Sequence, residues 1–423
     1  MKEFLYTLLI LSLPFSGLGQ TYTETIDTFY VPTPEYSVSL SLDTLWFPCA
    51  VTTPDVGSSF PVLILVHGTT SLDMDANSTK DFKDSIGASF RKAQTHLFYD
   101  IADSLSRNGI IVLRYDKRSY TVNCIEKPAC WWADTITPYD YIRDVNYAVD
   151  FAKTIPGVDT CNIFLAGHSQ GGSFVGDVGN KRSDIRGVIA MAPTAQPIDT
   201  VAVFQTITVD SDPVGAVIFR NQFDSLRAGT WPMNDTLYKK HFSPRFWLDW
   251  IAITDSAVIT QQNSSARTLF MYGTEDAFVP PSTHMSIWTD SIVRPNVTFQ
   301  TYPLLDHSFG TIYDSTMNIS ALQGMSDWIL GNLVSCTGSL DEMNQDGIFI
   351  YPNPAKQQLN IAISTNDQVT TISMHDLSGR LVKMISSTKG NHFSIDVSAF
   401  APGTYVIGIE TANSMRSKKV VIE

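Results

Sequence analysis

Basic residues are scarce in this sequence. Lys and Arg number 29 against 42 Asp and Glu, which leaves a formal net charge of −13 at pH 7. A protein that holds nucleic acid needs a basic face to neutralise phosphates, and no basic cluster occurs here. The same acidity disfavours adsorption to anionic membrane surfaces. Nucleic-acid binding is therefore excluded, and no nucleic-acid partner is expected.

Long apolar runs are also missing. Residues 4–13 form a short apolar stretch behind Lys2, and the small residues of 16–19 follow it. This pattern is typical of a secretory signal peptide, here residues 1–19, cleaved before Gln20. No later segment is apolar over about 18 residues, so no membrane span is expected. The sequence therefore predicts an exported protein.

Cysteine is rare, and its spacing matches no metal site. The five cysteines are Cys49, Cys124, Cys130, Cys161 and Cys336. An odd count leaves at least one thiol free or paired outside the chain. An oxidising compartment permits a disulfide between Cys124 and Cys130, although two unpaired loop thiols fit the sequence equally well. Neither close cysteine pairs nor histidines at helical spacing occur, so no metal is expected.

Short apolar runs alternate with helical patterns up to about residue 334. The predicted strands are 61–66, 110–113, 162–166, 187–191, 268–272 and 297–302. The predicted helices are 96–107, 139–154, 282–292 and 321–333, and an edge hairpin is expected within 36–52. Such alternation predicts an α/β fold, a mostly parallel sheet with helices on both faces. Residues 193–265 interrupt the alternation and, being rich in aromatic residues, predict an inserted helical cap.

The pattern changes near residue 337. Residues 337–347 are polar and contain turn-forming Gly, Asn and Asp, as linkers do. Beyond them, short runs of alternating hydrophobicity are separated by turn signals, which predicts a small β-sandwich. The predicted organisation is a signal peptide at 1–19, an α/β catalytic domain at 20–336 with its cap at about 193–265, a linker at 337–347 and a second domain at 348–423.

The strongest chemical signal is the pentapeptide 167–171. It reads Gly-His-Ser-Gln-Gly, which fits G-x-S-x-G, and it lies between the predicted strand 162–166 and a helix predicted to begin at Gly171. A nucleophilic serine must sit on a very sharp turn with its hydroxyl exposed, and the flanking glycines let that turn pack without side-chain clashes. Ser169 is therefore the candidate nucleophile.

A serine nucleophile needs a base, and the base needs an orienting acid. Asp276 and His307 each follow a predicted parallel strand, at the sheet edge that also carries Ser169. They occur in the order Ser, acid, His that this strand-turn-helix motif requires. Glu275 and Asp306 are competing acids, and Asp276 is preferred to both. His168 is expected to pack beside the nucleophile as a structural residue.

The reaction also needs donors for an oxyanion. The backbone N–H of Gln170 follows the nucleophile at a helix N-terminus, and the N–H of Thr69 lies in the loop after a central strand. Thr70 is an alternative second donor. Asp73 and Asp75 in the same loop suggest a cation site, but a polar surface loop is the favoured interpretation.

These segments resemble the α/β-hydrolase superfamily, and within it esterases related to dienelactone hydrolases. The similar segments are 65–68, 108–118, 167–171, 243–250 and 273–276. The resemblance implies an α/β-hydrolase fold, a carboxylic ester substrate that is small or carried on a glycan, and no cofactor. Residues 114–118 match the family's segment behind the site, where a structural salt-bridge loop is expected. The loop 69–75 departs from the family's glycine-rich oxyanion loop.

The C-terminal residues resemble the type A sorting domain of type IX secretion. The similarity is carried by Tyr-Pro-Asn-Pro-Ala at 351–355, Leu-Ser-Gly-Arg at 377–380, Gly-Thr-Tyr at 403–405 and the basic, apolar tail 418–422. It implies handling by the type IX machinery, passage through the outer membrane, and a secreted or cell-surface location.

Two other functions stay open. A peptidase of the prolyl-oligopeptidase type would use the same three residues, but the N-terminal stretch is too short for the propeller of that family. A non-catalytic surface-binding protein on a hydrolase scaffold is the alternative outside enzymes. The intact set Ser169, Asp276 and His307 argues against it.

Overall fold

A computed structural model provides the structure of this protein. It describes residues 19–32, 44–77, 96–121, 136–238, 242–311, 316–335, 348–351, 353–363, 369–376, 380–386, 392–411 and 415–423. Almost all of the predicted signal peptide, the predicted linker and the Cys124–Cys130 pair lie outside the described residues, so these stay predictions. Backbone contacts divide the chain into two compact units, Met1–Val334 and Ser335–Glu423.

The first unit alternates strands and helices. Its strands are β1 (Tyr22–Pro32), β2 (Thr44–Pro54), β3 (Phe60–Val66), β4 (Ile111–Tyr115), β5 (Val158–His168), β6 (Gly187–Met191), β7 (Arg267–Gly273) and β8 (Val297–Tyr302). Its longer helices, within the described residues, are α1 (Leu97–Arg107), α2 (Pro138–Ala152), α3 (Gln170–Lys181), α4 (Ile198–Thr208), α5 (Pro213–Arg227), α6 (Pro244–Asp255), α7 (Ala257–Asn263), α8 (Pro281–Ser291) and α9 (Ile319–Gly331).

The eight strands form one sheet in the order β1-β2-β4-β3-β5-β6-β7-β8. The neighbouring strands β4, β3, β5, β6, β7 and β8 all pair in parallel. At the other edge of the sheet, β1 pairs antiparallel with β2, and β2 pairs antiparallel with β4. Helix α1 contacts α9, and α2 contacts α3, so helices cover both faces as right-handed crossovers require. The predicted α/β fold with a mostly parallel sheet is confirmed.

The apolar runs of the sequence became the inner strands for a simple physical reason. Every residue of β3, β4 and β6 is buried, and a strand with both faces covered must be apolar throughout. Two predicted strands, 187–191 and 297–302, have the observed bounds, and the other predicted strands and helices are displaced by a few residues at their ends. The apolar pattern therefore located these elements.

The edge hairpin was predicted in the wrong place. Strand β2 overlaps the predicted segment 36–52, but its partner is β1, which runs from Tyr22 and pairs with it from Tyr22–Pro54 to Pro32–Thr44. Much of β1 is polar or exposed, including Ile26 and Tyr30, so its sequence lacks a clear apolar face. Backbone pairing with β2 along its length, together with burial of Phe29 and Val31 near its end, holds this edge strand.

Four helices, α4 to α7, lie between β6 and β7, in the segment predicted as a cap. The aromatic residues of this segment are largely buried: Phe246, Trp247 and Trp250 are 3–5% exposed. Trp247 and Trp250 stack with ring centroids 5.6 Å apart, and Phe246 meets Trp250 edge to face. These rings form the interior of the inserted segment, so they do not present open faces to a substrate.

Two of the five cysteines are described. Cys49 on β2 is fully buried and free, and burial raises the pKa of its thiol to about 12. Cys161 is disulfide-bonded. The expectation that the odd count leaves at least one thiol free or paired outside the chain is confirmed by Cys49, a free thiol among the described residues.

The second unit consists of two antiparallel sheets. One has the order β13-β10-β9 and the other β12-β11-β14-β15. The strands are β9 (Ile348–Tyr351), β10 (Gln358–Ile363), β11 (Val369–Asp376), β12 (Leu381–Ser386), β13 (His392–Asp396), β14 (Gly403–Thr411) and β15 (Met415–Ile422). Alternate residues of these strands form one buried core that includes Leu359, Ile361, Ile372, Met374, Ile407 and Ile409. The predicted β-sandwich is confirmed.

Two glycines allow the backbone after β5 to approach its neighbours closely. A Cβ on Gly171 would lie 2.3 Å from the Val66 carbonyl oxygen, and a Cβ on Gly167 would lie 2.1 Å from the Gly171 carbonyl oxygen. Both obstacles are backbone atoms, so no side-chain rotation relieves them. The glycines of the G-x-S-x-G motif are therefore required by contact between β3, β5 and the start of α3.

We expect Gly171→Ala to destabilise the α/β unit by about 1–3 kcal/mol, the usual effect of overpacking a tight interior. The higher helix propensity of alanine offsets at most about 1 kcal/mol of this. Urea unfolding followed by tryptophan fluorescence measures it, because all eight tryptophans precede residue 337. Gly331→Ala is the matched control, since no atom lies within 4 Å of the added Cβ. Equal stability of the two variants would contradict the close-contact argument.

Candidate functional site

Several loops meet at the carboxyl edge of the parallel sheet. Ser169 follows β5, Asp276 lies three residues beyond β7, and His307 lies five residues beyond β8. Thr69 follows β3, which pairs directly with β5. Parallel strands bring the loops at their carboxyl ends to one side of a sheet, where ligands of open α/β folds bind. The topology therefore places all the predicted site residues at one edge.

Ser169 occupies a strained turn between β5 and α3. Its backbone angles are φ 55° and ψ −113°, and a positive φ is uncommon for any residue other than glycine. Its N–H donates to the Met191 carbonyl oxygen at 2.8 Å, which ties the turn to the neighbouring strand β6. Such strain persists only where the surrounding structure fixes the backbone. The turn has the form of a nucleophile elbow.

Asp276 and His307 form a direct hydrogen bond. The distance from His307 Nδ1 to Asp276 Oδ2 is 2.8 Å, and the Asp276 side chain is fully buried. The other oxygen of Asp276 accepts the N–H groups of Phe278 at 2.9 Å and Val279 at 2.8 Å. Because a carboxylate only accepts, Nδ1 of His307 donates, and its Nε2 carries the lone pair. This is the tautomer that a general base needs.

The two competing acids occupy other positions. Glu275 is exposed. Asp306 accepts the N–H groups of Ser308 at 2.9 Å and Gly310 at 3.2 Å, so it stabilises the loop that carries His307. Within the described residues, Asp276 is the carboxylate that contacts the imidazole.

The hydroxyl of Ser169 and Nε2 of His307 do not share a hydrogen bond among the contacts of the described residues. Hydrogen bonds between nucleophile and base are often long until substrate is bound. His307 is nevertheless held next to the elbow by His168, the residue before Ser169. The Nε2–H of His168 donates to the His307 carbonyl oxygen at 2.9 Å, and the two ring centroids lie 4.8 Å apart.

His168 is suited to this structural contact. Burial is the main factor that lowers the pKa of His168, to about 3, and the nearby His307 lowers it further. The ring is therefore neutral at ordinary pH and can be a fixed hydrogen-bond donor to the His307 backbone. The expectation that His168 packs beside the nucleophile agrees with this geometry.

Two backbone N–H groups are available for an oxyanion. Gln170 is the first residue of α3, and the first N–H groups of a helix have no intrahelical acceptor. Thr69 is half-buried, and neither its N–H nor that of Gln170 is donated to any residue in the described part of the chain. Gly68 brings this loop against the elbow, since a Cβ there would lie 3.5 Å from the Ser169 Cβ. Thr70 has a φ of 85°, a second strained residue in the loop.

The segment after β4 contains the expected salt bridges. Arg114 pairs with Glu24 at 2.6 Å and with Asp75 at 2.7 Å. Arg118 pairs with the buried Asp144, with 2.9 Å between Nε and Oδ2. The interpretation of these two arginines as parts of a salt-bridge loop is confirmed.

Lys117 lies between those arginines and was not singled out by the sequence. Its side chain is buried, and its Nζ donates to the Gly68 carbonyl oxygen at 2.5 Å and to Gln170 Oε1 at 2.9 Å. The signal that could have found it is a lysine in a segment that directly follows a buried strand. Charged residues at such a place lie at the carboxyl edge of the sheet.

The acidic loop residues have partners within the protein. Asp75 pairs with Arg114, and Asp73 accepts the N–H groups of Asp75 at 3.1 Å and Asn77 at 2.8 Å. In the part of the chain that the structure describes, no group of three or more His, Cys, Asp or Glu is arranged to hold a metal ion. The polar-loop interpretation of Asp73 and Asp75 fits these contacts.

The described helices are all too short or too polar to cross a lipid bilayer.

Comparison with known proteins gives several similarities. A curated relative, esterase EstD of Thermotoga maritima, is 34% identical over 155 residues, which cover 36% of this chain and 32% of the relative. Among solved structures, Est1E from Butyrivibrio proteoclasticus aligns with a TM-score of 0.46 and 16% identity, over 72% of this chain and 98% of that chain. A 2,6-dihydroxy-pseudo-oxynicotine hydrolase aligns with a TM-score of 0.46 and 14% identity, over 73% of this chain and 68% of that chain. The EstD match spans about a third of the relative, and similarity of this extent assigns no activity.

A family profile described as secretion system C-terminal sorting domain matches residues 349–423. This match confirms the resemblance seen in the C-terminal sequence. It indicates export through the type IX secretion system and a secreted or cell-surface location.

A second profile, described as serine aminopeptidase, S33, matches residues 92–311, which contain the elbow, Asp276 and His307. The matched region is more than half of the chain, and it confirms the resemblance to the α/β-hydrolases. This protein therefore belongs to the serine aminopeptidase S33 family.

Proposed function

We propose that this chain is a secreted carboxylesterase that acts through a covalent acyl-enzyme. Ser169 is the nucleophile, His307 the general base and Asp276 the acid that orients the base. The observation that carries the proposal is the 2.8 Å hydrogen bond from His307 to the buried Asp276, beside a serine in a strained strand-to-helix turn. The esterase EstD similarity supports an ester rather than another acyl substrate.

The proton transfers follow from the observed tautomer. Because Nδ1 of His307 donates to Asp276, its Nε2 can take the Ser169 proton as the hydroxyl attacks the ester carbonyl. Asp276 then stabilises the imidazolium, and Nε2 returns the proton to the leaving alkoxide. Water repeats the sequence on the acyl-enzyme and releases the acid. These steps use Ser169, His307 and Asp276 of this chain and one water molecule.

The negative charge that develops on the carbonyl oxygen needs hydrogen-bond donors. We assign the backbone N–H groups of Gln170 and Thr69 to this role. Removing one such donor in other enzymes slows turnover by about 10²–10³-fold. Thr70 is the less suitable second donor, because it lies one residue farther along the loop than Thr69.

The proposed organisation keeps the predicted boundaries: signal peptide 1–19, catalytic domain 20–336 with a cap at about 193–265, linker 337–347 and sorting domain 348–423. The substrate is an ester, either a small molecule or one carried on a glycan. The buried aromatic residues of the cap do not favour one over the other.

We expect Ser169→Ala to abolish labelling by a fluorophosphonate and to reduce p-nitrophenyl ester hydrolysis to background. The reagent phosphonylates an activated serine, and among the described serines Ser169 is the one that lies in the strained turn beside His307. Labelling is read by in-gel fluorescence and by mass spectrometry of the modified peptide. Label that persists in Ser169→Ala would refute the assignment of the nucleophile. An unlabelled wild-type protein without esterase activity would favour the non-catalytic alternative.

We expect Asp276→Asn to lower kcat about 10⁴-fold with intact folding, because an amide would reverse the tautomer of His307. Steady-state hydrolysis of p-nitrophenyl acetate measures the loss. Glu275→Gln is the matched control, an exposed neighbouring acid that should keep activity within a factor of about two. Similar losses in the two variants would disprove the role of Asp276.

The family description names an aminopeptidase, so peptide hydrolysis is the second candidate function. We expect kcat/KM for p-nitrophenyl esters to exceed that for aminoacyl p-nitroanilides by several orders of magnitude, because esters have the better leaving group and the site is proposed to act on them. Parallel assays with the two substrate series, using Ser169→Ala as blank, decide the question. Anilide cleavage at a comparable kcat/KM would identify a peptidase.

A further inference from the structure

Lys117 has an environment that the salt-bridge loop does not explain. Its side chain is 4% exposed, and among the described residues no carboxylate lies within ion-pair distance of its Nζ. Burial is the main cause that lowers its pKa well below the usual value for lysine. Retaining a buried amine without a counter-ion costs stability, so its presence calls for a purpose other than folding.

The two groups that accept hydrogen bonds from Lys117 indicate what it does. The Gly68 carbonyl belongs to the same peptide group as the Thr69 N–H. In a trans peptide the carbonyl and the N–H point in opposite directions. A donor that holds the Gly68 oxygen at 2.5 Å therefore directs the Thr69 N–H to the other side of that peptide plane.

The second acceptor is the side chain of Gln170, whose own backbone N–H is the other proposed oxyanion donor. The distance from Lys117 Nζ to Gln170 Oε1 is 2.9 Å, and Gln170 is buried. One amine thus links the residue that carries the first donor to the peptide that carries the second. Tyr141 covers the amine, with its ring centroid 4.4 Å from Nζ.

The loop after β3 is strained next to Thr69, so the orientation of the Thr69 N–H needs to be held in place. Thr70, next to the second donor, has a φ of 85°, which is costly for a β-branched residue. Rotation of the peptide between residues 68 and 69 is one way to relax such a loop, and it would turn the Thr69 N–H away from the site. Contact with Lys117 opposes that rotation, and it also polarises the peptide so that the N–H becomes a stronger donor.

We propose that Lys117 is a positioning residue that fixes both oxyanion donors, through the Gly68 carbonyl and the Gln170 side chain. This role rests on the proposed function, since it presupposes an oxyanion formed at Ser169. Lys117 touches neither the nucleophile nor the base, so it acts through the two backbone groups that it orients.

The test is Lys117→Met, which keeps the length of the side chain and removes the amine. We expect kcat for p-nitrophenyl butyrate to fall about 10–100-fold while KM changes less than about threefold, because the donors act mainly in the transition state. Affinity for an alkyl trifluoromethyl ketone, which forms an anionic adduct with the serine, should fall in the same proportion as kcat/KM. The melting temperature should change little, because removal of a buried amine without a counter-ion offsets the loss of its hydrogen bonds to Gly68 and Gln170.

A second variant keeps the proposal testable if Lys117→Met fails to fold. Gln170→Met leaves the backbone donor in place and removes one acceptor of Lys117. We expect Gln170→Met to lower kcat less than Lys117→Met does. The double variant should be no slower than Lys117→Met alone, because both substitutions remove the same contact between Lys117 and Gln170. The exposed Lys181→Met is the matched control and should match the wild type.

Two results would overturn the proposal. One is wild-type kcat in Lys117→Met, or in Gln170→Met if only that variant folds. The other is a reduced kcat with unchanged affinity for the trifluoromethyl ketone, which would place the effect outside the oxyanion site. Failure of the proposed function is distinguished by the wild-type protein, which would then show neither fluorophosphonate labelling at Ser169 nor ester hydrolysis.

Discussion

The contact between the turn after β5 and the neighbouring strand β3 constrains the rest of the site. Gly171 passes so close to the Val66 carbonyl that a Cβ would lie 2.3 Å from that oxygen. This approach forces Ser169 into its positive φ and starts α3 immediately afterwards, so the helix N-terminus faces the site. The same approach brings Gly68 and Thr69, which follow β3, beside the nucleophile. One backbone contact therefore sets the position of the serine and of both proposed oxyanion donors.

The base and the acid depend on this turn less directly. Asp276 and His307 follow β7 and β8, which pair in parallel register. The loops after these two strands can reach each other because their ends lie at the same height on the sheet. His168 then connects this half of the site to the turn, through its hydrogen bond to the His307 backbone. The site is thus held together by backbone geometry and by two hydrogen bonds that histidines donate, one from His168 to the His307 backbone and one from His307 to the buried Asp276 carboxylate.

Much of this arrangement could be predicted from the sequence, because the evidence lay in local patterns. Continuous apolar runs located the inner strands. Ser169, Asp276 and His307 lie in the loops that follow the strands β5, β7 and β8. The sequence did not place β1, since most of this edge strand is polar or exposed and its buried residues, Phe29 and Val31, lie together near one end. The cap was identified as helical, but the sequence did not show that its aromatic residues pack on one another. Aromatic composition does not distinguish an interior from a binding surface.

Lys117 shows why the remaining part of the site could not be predicted from the sequence. In the sequence it is one cation among three in 114–118, and the natural expectation is a third salt bridge. The nearby acids have other partners: Arg114 takes Glu24 and Asp75, Arg118 takes Asp144, and Asp116 accepts the backbone N–H of Met74. These pairs anchor both ends of the segment, so the residue between them is held in the interior whether or not it finds a carboxylate. With neutral oxygens as its acceptors, the amine acts through its hydrogen bonds to the Gly68 carbonyl and the Gln170 side chain, which are strong in a region of low dielectric constant. A salt-bridge loop behind the site is therefore also the means by which a buried amine is held close to the place where negative charge develops, without contacting the reacting atoms.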